Sequence, residues 1–549
     1  MTQTQTDNLA AEPKPLTATA RVAWVALILA TLYFCYFHNL GALGLVGPDE
    51  PRYAWIARDM AETGDWVTPR LYGKPWFEKP PLYYWGAALS FKLFGISEVT
   101  ARLPSAIAAL LATLALAWLA RRVYGAESAR WLLLLLPTTV GMIGFSHAAA
   151  TDMPFAAMLT FAMICAAFVL GLIKDGNTPI LPRTPWLALL LFGFFLGLAA
   201  LAKGPAAIVL SGGSVLLWGI LTKRWRGAFR CLHPIAIMTF CATALPWYIL
   251  CAHRNPDFLR VFIIEHNFRR YLTPEFQHIQ PFWFYIPVFL VAIFPWIVLT
   301  VPAARSIYNQ FRERSSQPAF ELLLFSWLVF VLLFFSLSHS KLPGYILPAV
   351  PPAALLLSEQ LCKLLEETRK RLRWITMAFG ICLAIFGGIF VFASMRLPAY
   401  TDVRPSPLAE QIALIAVLGG IGIVLLGFFR HYRPSLFIMV ILLLILVVRI
   451  DTFVGKIDPG LTARSTFTEA DKLWPGFTVS EASTWQLNRS LLFQLNFYSH
   501  TELPEWQAGQ PKPEWLFVKP KREAEARNLG FICRNYLFSP AVILCRNPD

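Results

Sequence analysis

Residues 47–53 read Gly-Pro-Asp-Glu-Pro-Arg-Tyr, and residues 76–81 read Trp-Phe-Glu-Lys-Pro-Pro. Both stretches lie in a polar segment between the first apolar run of the chain and the second. The rest of the chain avoids charge: 56% of its 549 residues are hydrophobic, 15% are charged, and mean hydropathy is +0.53. A soluble core does not need so much apolar surface, so this composition predicts a polytopic membrane protein.

The apolar runs predict a fold class, an all-α polytopic membrane protein, because a membrane-spanning helix needs about 20 mostly apolar residues. Thirteen candidate spans lie near residues 22–40, 100–121, 128–147, 153–173, 186–202, 205–221, 229–252, 281–303, 319–338, 343–362, 372–395, 409–429 and 434–450. We therefore predict a transmembrane domain over 21–454 after a disordered cytoplasmic stub, 1–20. The first run lacks a small-residue cleavage site, which favours an anchored helix over a signal peptide.

Net charge is +15, but the basic residues gather in short loops between apolar runs, which argues against nucleic acid as a partner. By the positive-inside rule these loops predict the cytoplasmic side. They contain Arg121, Arg122, Arg130, Lys174, Lys223, Arg224, Arg226, Arg230, Arg305, Arg312, Arg314, Lys363, Arg369, Lys370, Arg371, Arg373, Arg430 and Arg433. Segment 41–99 and the C-terminal tail then face the opposite, periplasm-like side.

The first outer loop, 41–99, shows helical periodicity in two short stretches, around 53–60 and 82–94. Both are too short to span, so we expect interfacial helices there. Residues 455–549 change to a polar composition without a spanning run and predict a small α/β domain, with strands at 515–518 and 541–544. Cys533 and Cys545 in this tail predict one disulfide if the compartment is oxidising.

Two outer-side acids are the candidate catalytic residues, Asp49 and Asp152. Each precedes a predicted helix, so a helix cap is the structural alternative, with Thr151 or Asp152 as the second cap. A cap does not explain the neighbouring charges Arg52 and Glu78, and two acids on one membrane face suit a polar reaction site.

Outer-side cations need an explanation other than orientation, and as a set they predict binding of anionic groups such as phosphates. They are Arg52, Arg58, Lys79, Lys203, Arg269, Arg270 and Lys341. The alternative for each alone is an interfacial side chain that contacts lipid headgroups. Glu78 and His266 are candidate ligands of a divalent metal, zinc or magnesium, although no compact ligand spacing supports a metal and none is required.

Several motifs resemble those of the polyprenyl-phosphate-dependent C-superfamily glycosyltransferases, and in particular the lipid A 4-amino-4-deoxy-L-arabinose transferases. The motifs are Asp-Glu-Pro-Arg-Tyr-Ala (49–54), Gly-Asp-Trp (64–66), Phe-Glu-Lys-Pro (77–80), Asn-Pro-Asp-Phe (255–258), Pro-Phe-Trp-Phe-Tyr-Ile-Pro (281–287) and Ser-Lys-Leu-Pro-Gly-Tyr-Ile-Leu-Pro (340–348). The resemblance runs through most of residues 45–350.

The resemblance implies an enzyme of the bacterial inner membrane that moves the amino sugar from undecaprenyl phosphate to a lipid A phosphate on the periplasmic face. It implies resistance to cationic peptides such as polymyxin, contact with membrane lipids and a monomer. Asp49 and Asp152 would be catalytic. The substrate-binding residues would be Arg52, Tyr53, Arg58, Glu78, Lys79, Tyr83, His147, Lys203, His266, Arg269, Arg270, Lys341 and Tyr345.

Two rival interpretations remain. A protein O-mannosyltransferase-like enzyme would use the same kind of carrier but a hydroxyl acceptor, which makes a general base essential. A transporter would place charges near the bilayer midplane and show paired repeats, neither of which the sequence displays.

Overall fold

The computed structural model describes residues 17–175, 178–179, 185–269, 279–312, 320–366, 369–396, 406–534 and 540–548. Most of the predicted stub lies outside these ranges. The first eleven helices are α1 Ala18–Tyr36, α2 Asp49–Thr63, α3 Leu82–Phe94, α4 Glu98–Val123, α5 Ala126–Leu135, α6 Val140–Ser146, α7 Asp152–Val169, α8 Trp186–Lys203, α9 Ala206–Leu221, α10 Trp225–Ala228 and α11 Pro234–Arg254.

The remaining helices begin with α12, Arg260–Arg269, which is wound as a π-helix. They continue as α13 Tyr285–Ala292, α14 Thr300–Arg312, α15 Phe320–Leu337, α16 Val350–Glu366, α17 Arg369–Arg396, α18 Pro407–Phe428, α19 Tyr432–Leu461, α20 Arg464–Thr468, α21 Ala470–Leu473, α22 Arg489–Ser499 and α23 Glu523–Asn528. Short 3-10 turns occupy Phe229–Leu232, Phe282–Phe284, Trp296–Leu299, Pro343–Ala349, Val479–Glu481 and Pro520–Arg522.

The predicted polytopic helical fold is confirmed. Within the described ranges ten helices are long and apolar enough to cross a membrane, and two bent pairs raise the number to twelve. The thirteenth predicted span is α9, which has only 16 residues. Each predicted stretch thus corresponds to a helix or a bent pair. Ten single helices stand against thirteen predicted spans because α9 is short and two of the spans are bent pairs. Helix α5 bends by 61° against α6, and Phe282–Ala292 bends by 108° against Trp296–Asn309, and sequence hydropathy does not reveal such bends.

The first outer segment folds as predicted into two short helices, α2 and α3, joined through a small hairpin of β1 (Arg70–Leu71) and β2 (Lys74–Pro75). Gly64 ends α2 with a positive φ of 73°, a conformation that costs glycine little. The buried faces of α2 and α3 share one hydrophobic cluster with Phe493 and Phe497 of α22. The segment is therefore held between the membrane domain and the C-terminal domain.

A buried ion pair fixes the entry to α2. Glu50 accepts hydrogen bonds from Arg102 of α4 at 2.7 and 3.2 Å, and from the amides of Val46 and Ala149 at 2.8 and 2.7 Å. Arg102 also donates to the Leu40, Leu43 and Gly44 carbonyls. The carboxylate of Glu50 and the guanidinium of Arg102 both have several hydrogen-bond partners. The network therefore fixes the position of the first turn of α2, which contains Asp49.

The C-terminal domain is a four-stranded sheet, ordered β5-β6-β8-β7, with α22 and α23 packed against it. Its strands are β5 Ala482–Trp485, β6 Trp515–Val518, β7 Ile532–Arg534 and β8 Ile543–Arg546, and a separate hairpin contains β3 Lys174–Asp175 and β4 Thr178–Pro179. The predicted strand at 515–518 and the Cys533–Cys545 disulfide are confirmed, and the strand predicted at 541–544 lies two residues later, at 543–546. The last spanning helix continues to Leu461, past the predicted boundary at 455.

Buried polar contacts fasten this domain to the first outer loop. Asp458, only 2% exposed, accepts from the Gly44 amide at 2.8 Å and pairs with Arg464 at 2.7 Å. Arg464 also donates to the carbonyls of Gly41 and Ala42. The domain is therefore built onto the loop that carries the 47–53 motif.

Candidate active site

A cavity of about 940 Å³ opens in front of the N-terminus of α2, and we call it the Asp49 cavity. Five parts of the chain supply its wall: the start of α2, the 75–78 stretch, the 254–266 stretch, Leu342 and α22. The lining residues are Pro48, Asp49, Arg52, Pro75, Trp76, Phe77, Glu78, Arg254, Asn255, Pro256, Asp257, Arg260, Val261, His266, Leu342 and Arg489. The structure thus brings the two sequence motifs, 47–53 and 76–81, to one site.

Charges of alternating sign run along one wall of the Asp49 cavity. Arg52 pairs with Asp49 at 2.5 Å and with Glu78 at 2.9 Å, and Lys79 Nζ lies 3.9 Å from the other oxygen of Glu78. The Asp49 side chain is 48% exposed, whereas that of Arg52 is 4% exposed. Asp49 therefore offers a carboxylate to a ligand, and Arg52 holds it in place from behind.

Arg52 is held among aromatic rings. Its guanidinium lies 5.2 Å from the ring centroid of Tyr53, 5.4 Å from that of Trp76 and 5.9 Å from that of Phe493. Burial alone would lower the pKa of Arg52, but the negative charge of Glu78, followed by other neighbours, raises it overall. Arg52 thus stays cationic and orients both carboxylates.

Asp49 and Asp152 do not act as side-chain caps of their helices. Helix α2 begins at Asp49, its N-cap is Pro48, and no side-chain capping bond is present there. Helix α7 likewise begins at Asp152, with Thr151 as an N-cap that makes no side-chain bond. The capping alternative therefore does not account for either acid, although both lie in a first turn, where the helix dipole favours negative charge.

Asp152 belongs to a second polar group beside the Asp49 cavity. Lys203 Nζ donates to Asp152 at 2.5 Å and lies 4.8 Å from the ring centroid of Tyr345. Lys341 donates to the carbonyl of Ser338 and is 6% exposed, and burial lowers the pKa of its ammonium. This group reaches the cavity wall through Leu342, the residue between Lys341 and the Pro343–Ala349 turn.

Four predicted binding residues make contacts that stabilise the fold and do not line the Asp49 cavity. Tyr53 is 2% exposed beneath Arg52, and Tyr83 donates to the Ala101 carbonyl at 2.8 Å. His147 lies within 3.0 and 3.1 Å of the carbonyl oxygens of Ile143 and His38. Arg58 pairs with Glu62 at 2.7 Å and contacts His500 at 2.7 Å. Their roles in substrate binding remain predictions.

Arg269 and Arg270 are the two remaining cations predicted from the sequence. Arg269 is the last residue of α12 and is exposed. Arg270 lies outside the described residues. Both remain predicted ligands of an anionic group.

Four charged lining residues were not among the candidates read from the sequence: Arg254, Asp257, Arg260 and Arg489. Asp257 lies within the Asn-Pro-Asp-Phe motif at 255–258, and Arg254 and Arg260 flank it, so this motif was a signal that could have found them. Arg489 comes from the C-terminal domain, is exposed, and packs its guanidinium 5.2 Å from the Phe493 ring. No local sequence pattern links Arg489 to the first outer loop.

Asp65 of the Gly-Asp-Trp motif organises the opposite part of the wall. It accepts from the amides of Val67 and Thr68 at 3.0 and 3.2 Å and pairs with Arg70 at 2.6 Å and with Arg254 at 3.1 Å. Burial alone would raise the pKa of Asp65, but these hydrogen bonds, first that from Val67, lower it overall. Asp65 therefore stays ionised and places Arg254 at the cavity.

The two side chains predicted as metal ligands lie at the same cavity. Glu78 and His266 both line the Asp49 cavity, but Glu78 is engaged by Arg52 at 2.9 Å. No group of three or more His, Cys, Asp or Glu side chains suited to a metal occurs in the part of the chain that the structure describes. A divalent metal held by Glu78 and His266 therefore stays a prediction, and the reaction proposed below does not depend on it.

Comparison with known proteins agrees with the fold. A profile of the dolichyl-phosphate-mannose-protein mannosyltransferase family matches residues 22–262. An undecaprenyl phosphate-alpha-4-amino-4-deoxy-L-arabinose arabinosyl transferase of Photorhabdus laumondii is 31% identical over 412 residues, which cover 74% of this chain and 71% of that protein. The protein of the same name in Edwardsiella ictaluri is 34% identical over 352 residues, 64% of this chain and 61% of that protein.

Among solved structures, ArnT from Cupriavidus metallidurans bound to undecaprenyl phosphate superposes with a TM-score of 0.75. The two chains are 24% identical, and the match covers 97% of this chain and 98% of that one. At this level of identity the likeness establishes the fold, including the C-terminal domain.

The fold, the charged cavity and these relatives define the class of protein: a multi-pass membrane glycosyltransferase. Within that class, the chain belongs to the undecaprenyl phosphate-alpha-4-amino-4-deoxy-L-arabinose arabinosyl transferase family.

Proposed function

We propose that this chain transfers 4-amino-4-deoxy-L-arabinose from undecaprenyl phosphate to a phosphate group of lipid A, on the periplasmic face of the bacterial inner membrane. The observation that carries the proposal is the Asp49 cavity. There a half-exposed carboxylate faces a site that mixes four arginines with three carboxylates among its described lining residues. Such a mixture suits reactants that bring both phosphates and an amine.

The proposed reaction is a displacement at the anomeric carbon of the sugar. The bond from this carbon to the undecaprenyl phosphate oxygen breaks, and the leaving phosphate keeps the electron pair. An oxygen of the acceptor phosphate forms the new bond. A phosphate acceptor is already ionised at neutral pH, so a general base is not required.

Asp49 therefore acts by charge and position. Its exposed carboxylate orients the acceptor or stabilises positive charge on an oxocarbenium-like sugar in the transition state. The 2.5 Å contact with Arg52 fixes the carboxylate, which lowers the cost of reorganisation during the reaction. Asp152, held by Lys203, is the second carboxylate and binds the sugar ammonium or supports Asp49.

Two groups of cations have separate roles in this proposal. Lys79, with Arg270 and Lys341, stabilises the departing undecaprenyl phosphate. Arg254, Arg260 and Arg489 bind acceptor phosphates, since they line the wall formed by 254–266 and α22. The transferred amine masks negative charge on the outer surface, so cationic peptides such as polymyxin bind less well.

The direct test uses purified protein, the undecaprenyl-phosphate-linked aminosugar and lipid A, with the product followed by mass spectrometry. We expect lipid A to gain one pentosamine with the wild-type protein, and at least about 100-fold less product to form with Asp49→Asn in the same time. Lipid A from cells with and without this chain provides the matching comparison in vivo. Unmodified lipid A in both experiments would refute the acceptor assignment.

The alternative function is a protein O-mannosyltransferase-like transfer, which the match of that family profile to residues 22–262 favours. It predicts transfer to a Ser/Thr peptide in place of lipid A. A hydroxyl acceptor requires a base, so its rate should fall with the protonation of one carboxylate. Assay of both acceptors with the same enzyme preparation separates the two functions.

A further inference from the structure

A second cavity, of about 490 Å³, lies at the far end of the helical segment that begins at the Asp49 cavity. Leu342 lines the Asp49 cavity, the span Pro343–Glu366 follows it, and Lys363 near the end of that span lines the second cavity. A helix of these 24 residues is about 36 Å long, more than the hydrocarbon thickness of a bilayer. The two cavities therefore face opposite membrane surfaces.

Three cations from three helices converge on this second cavity, which we call the Arg305 cavity. Arg305 comes from α14, Lys363 from α16 and Arg371 from α17. None of its described lining residues is Asp or Glu. Lys363 pairs with Glu359 at 3.5 Å, and the described lining residues themselves carry three positive charges and no negative one.

The positive-inside rule explains why cations occur at this membrane surface, but it does not require them to share a concave site. Gln360 and Ser306 add hydrogen-bonding groups to the cavity, and Ile375 adds an apolar wall. Trp374 lines it too and is 63% exposed. Tryptophan is enriched at the level of lipid headgroups, so the cavity combines that level with cations, polar groups and an apolar flank.

We infer that the Arg305 cavity binds the headgroup of an anionic phospholipid, from the leaflet opposite the Asp49 cavity. Arg305 and Arg371 donate charge-assisted hydrogen bonds to the phosphodiester, and Lys363 adds a third positive charge. Gln360 and Ser306 bond to headgroup oxygens, and an acyl chain lies along Trp374 and Ile375. Basic pockets between helices on this side of a membrane are suited to such headgroups. This inference is independent of the proposed function.

The test is native mass spectrometry of the full chain in detergent, titrated with phosphatidylglycerol, with phosphatidylcholine or with glycerol phosphate. The test variant carries Arg305→Gln, Lys363→Gln and Arg371→Gln. The control carries Arg224→Gln, Arg226→Gln and Arg230→Gln, which removes the same charge from exposed residues of the same predicted surface that do not line the cavity. A third variant, Arg305→Lys with Arg371→Lys, changes two of the same positions but retains the charge. It therefore separates the effect of lost charge from the effect of substitution at these positions on the fold.

We expect phosphatidylglycerol to bind the wild-type chain and the control alike, and to bind the test variant roughly 100-fold more weakly, since each juxtamembrane cation adds to headgroup binding. The lysine variant should keep most of the affinity. Equal binding of phosphatidylglycerol to the test variant and the control would overturn the inference. So would equal binding of phosphatidylcholine, and binding of glycerol phosphate as tight as that of the lipid would reassign the site to a free phosphate.

Discussion

Asp49 and Glu50 are adjacent in sequence but differ in everything that decides the role of a carboxylate. Glu50 has a side chain that is 7% exposed, and it accepts from Arg102 and from two backbone amides. Asp49 is 48% exposed, pairs with Arg52 and faces a cavity of about 940 Å³. A buried, saturated acid stabilises a fold, whereas an open acid held from one side is available to a ligand.

The same contrast extends to the regions around the two acids. The Glu50 side joins α2 to α4 and, through Asp458 and Arg464, joins the first loop to the C-terminal domain. The Asp49 side is lined by side chains from five parts of the chain. The rigid Glu50 network thus positions the open Asp49 cavity. A substitution can disrupt the network or the cavity separately.

The largest effect is expected from Glu50→Ala, which breaks the rigid side. Arg102 would remain buried without its ion-pair partner, which costs about 3–5 kcal/mol of folding free energy. We expect a strongly lowered thermal midpoint and little folded protein after purification. A variant as stable as the wild type would show that the Glu50 network is not what holds the loop.

Lys79→Ala should break the open side without unfolding the chain. Loss of this cation removes charge stabilisation from the leaving phosphate, which we expect to lower the transfer rate about 100-fold. Asp59→Asn on α2 is the control, because burial raises the pKa of Asp59 and its neutral form costs little. Equal activity of Lys79→Ala and the wild type with the same donor would remove Lys79 from the mechanism.

Arg489→Gln tests whether the C-terminal domain takes part in acceptor binding. A lost charge-assisted hydrogen bond should lower kcat/KM for the acceptor about tenfold or more, with donor kinetics unchanged. Arg522→Gln is the matched control, since Arg522 pairs with Glu525 and does not line the Asp49 cavity. Equal effects of the two substitutions would contradict the assignment of Arg489.

A small pH effect is expected from the contact between Arg58 and His500, which joins α2 to the C-terminal domain. Burial, and then the charge of Arg58, lower the pKa of His500 below its usual 6.5. The unfolded chain therefore binds a proton more readily, so stability present above pH 6.5 is lost as pH falls through the folded-state pKa. The thermal midpoint of the wild type should fall more steeply on acidification than that of His500→Gln.

The sequence predicted the features that depend on hydropathy and on charges at the membrane side where insertion does not require them. It identified the thirteen apolar stretches, the two outer helices, and Asp49, Arg52 and Glu78 as charges that insertion does not require. The bends within two spans were missed because hydropathy does not report a change in the direction of the helix axis.

The sequence predicted Asp49 as a catalytic candidate but did not reveal the role of Glu50, because burial of Glu50 depends on Arg102 of another helix. Arg489 was missed for the same reason. It reaches the Asp49 cavity only through packing of α22 on α2, a long-range contact that no local pattern encodes.

The most direct test measures kcat/KM for sugar transfer by purified Asp49→Asn, together with its thermal midpoint. If Asp49 is the open carboxylate of the reaction, kcat/KM should fall about 100- to 1,000-fold, as is typical when one transition-state contact is lost. The thermal midpoint should stay near that of the wild type, because the side chain is half exposed. Transfer at the wild-type rate by a fully folded Asp49→Asn protein would contradict the account.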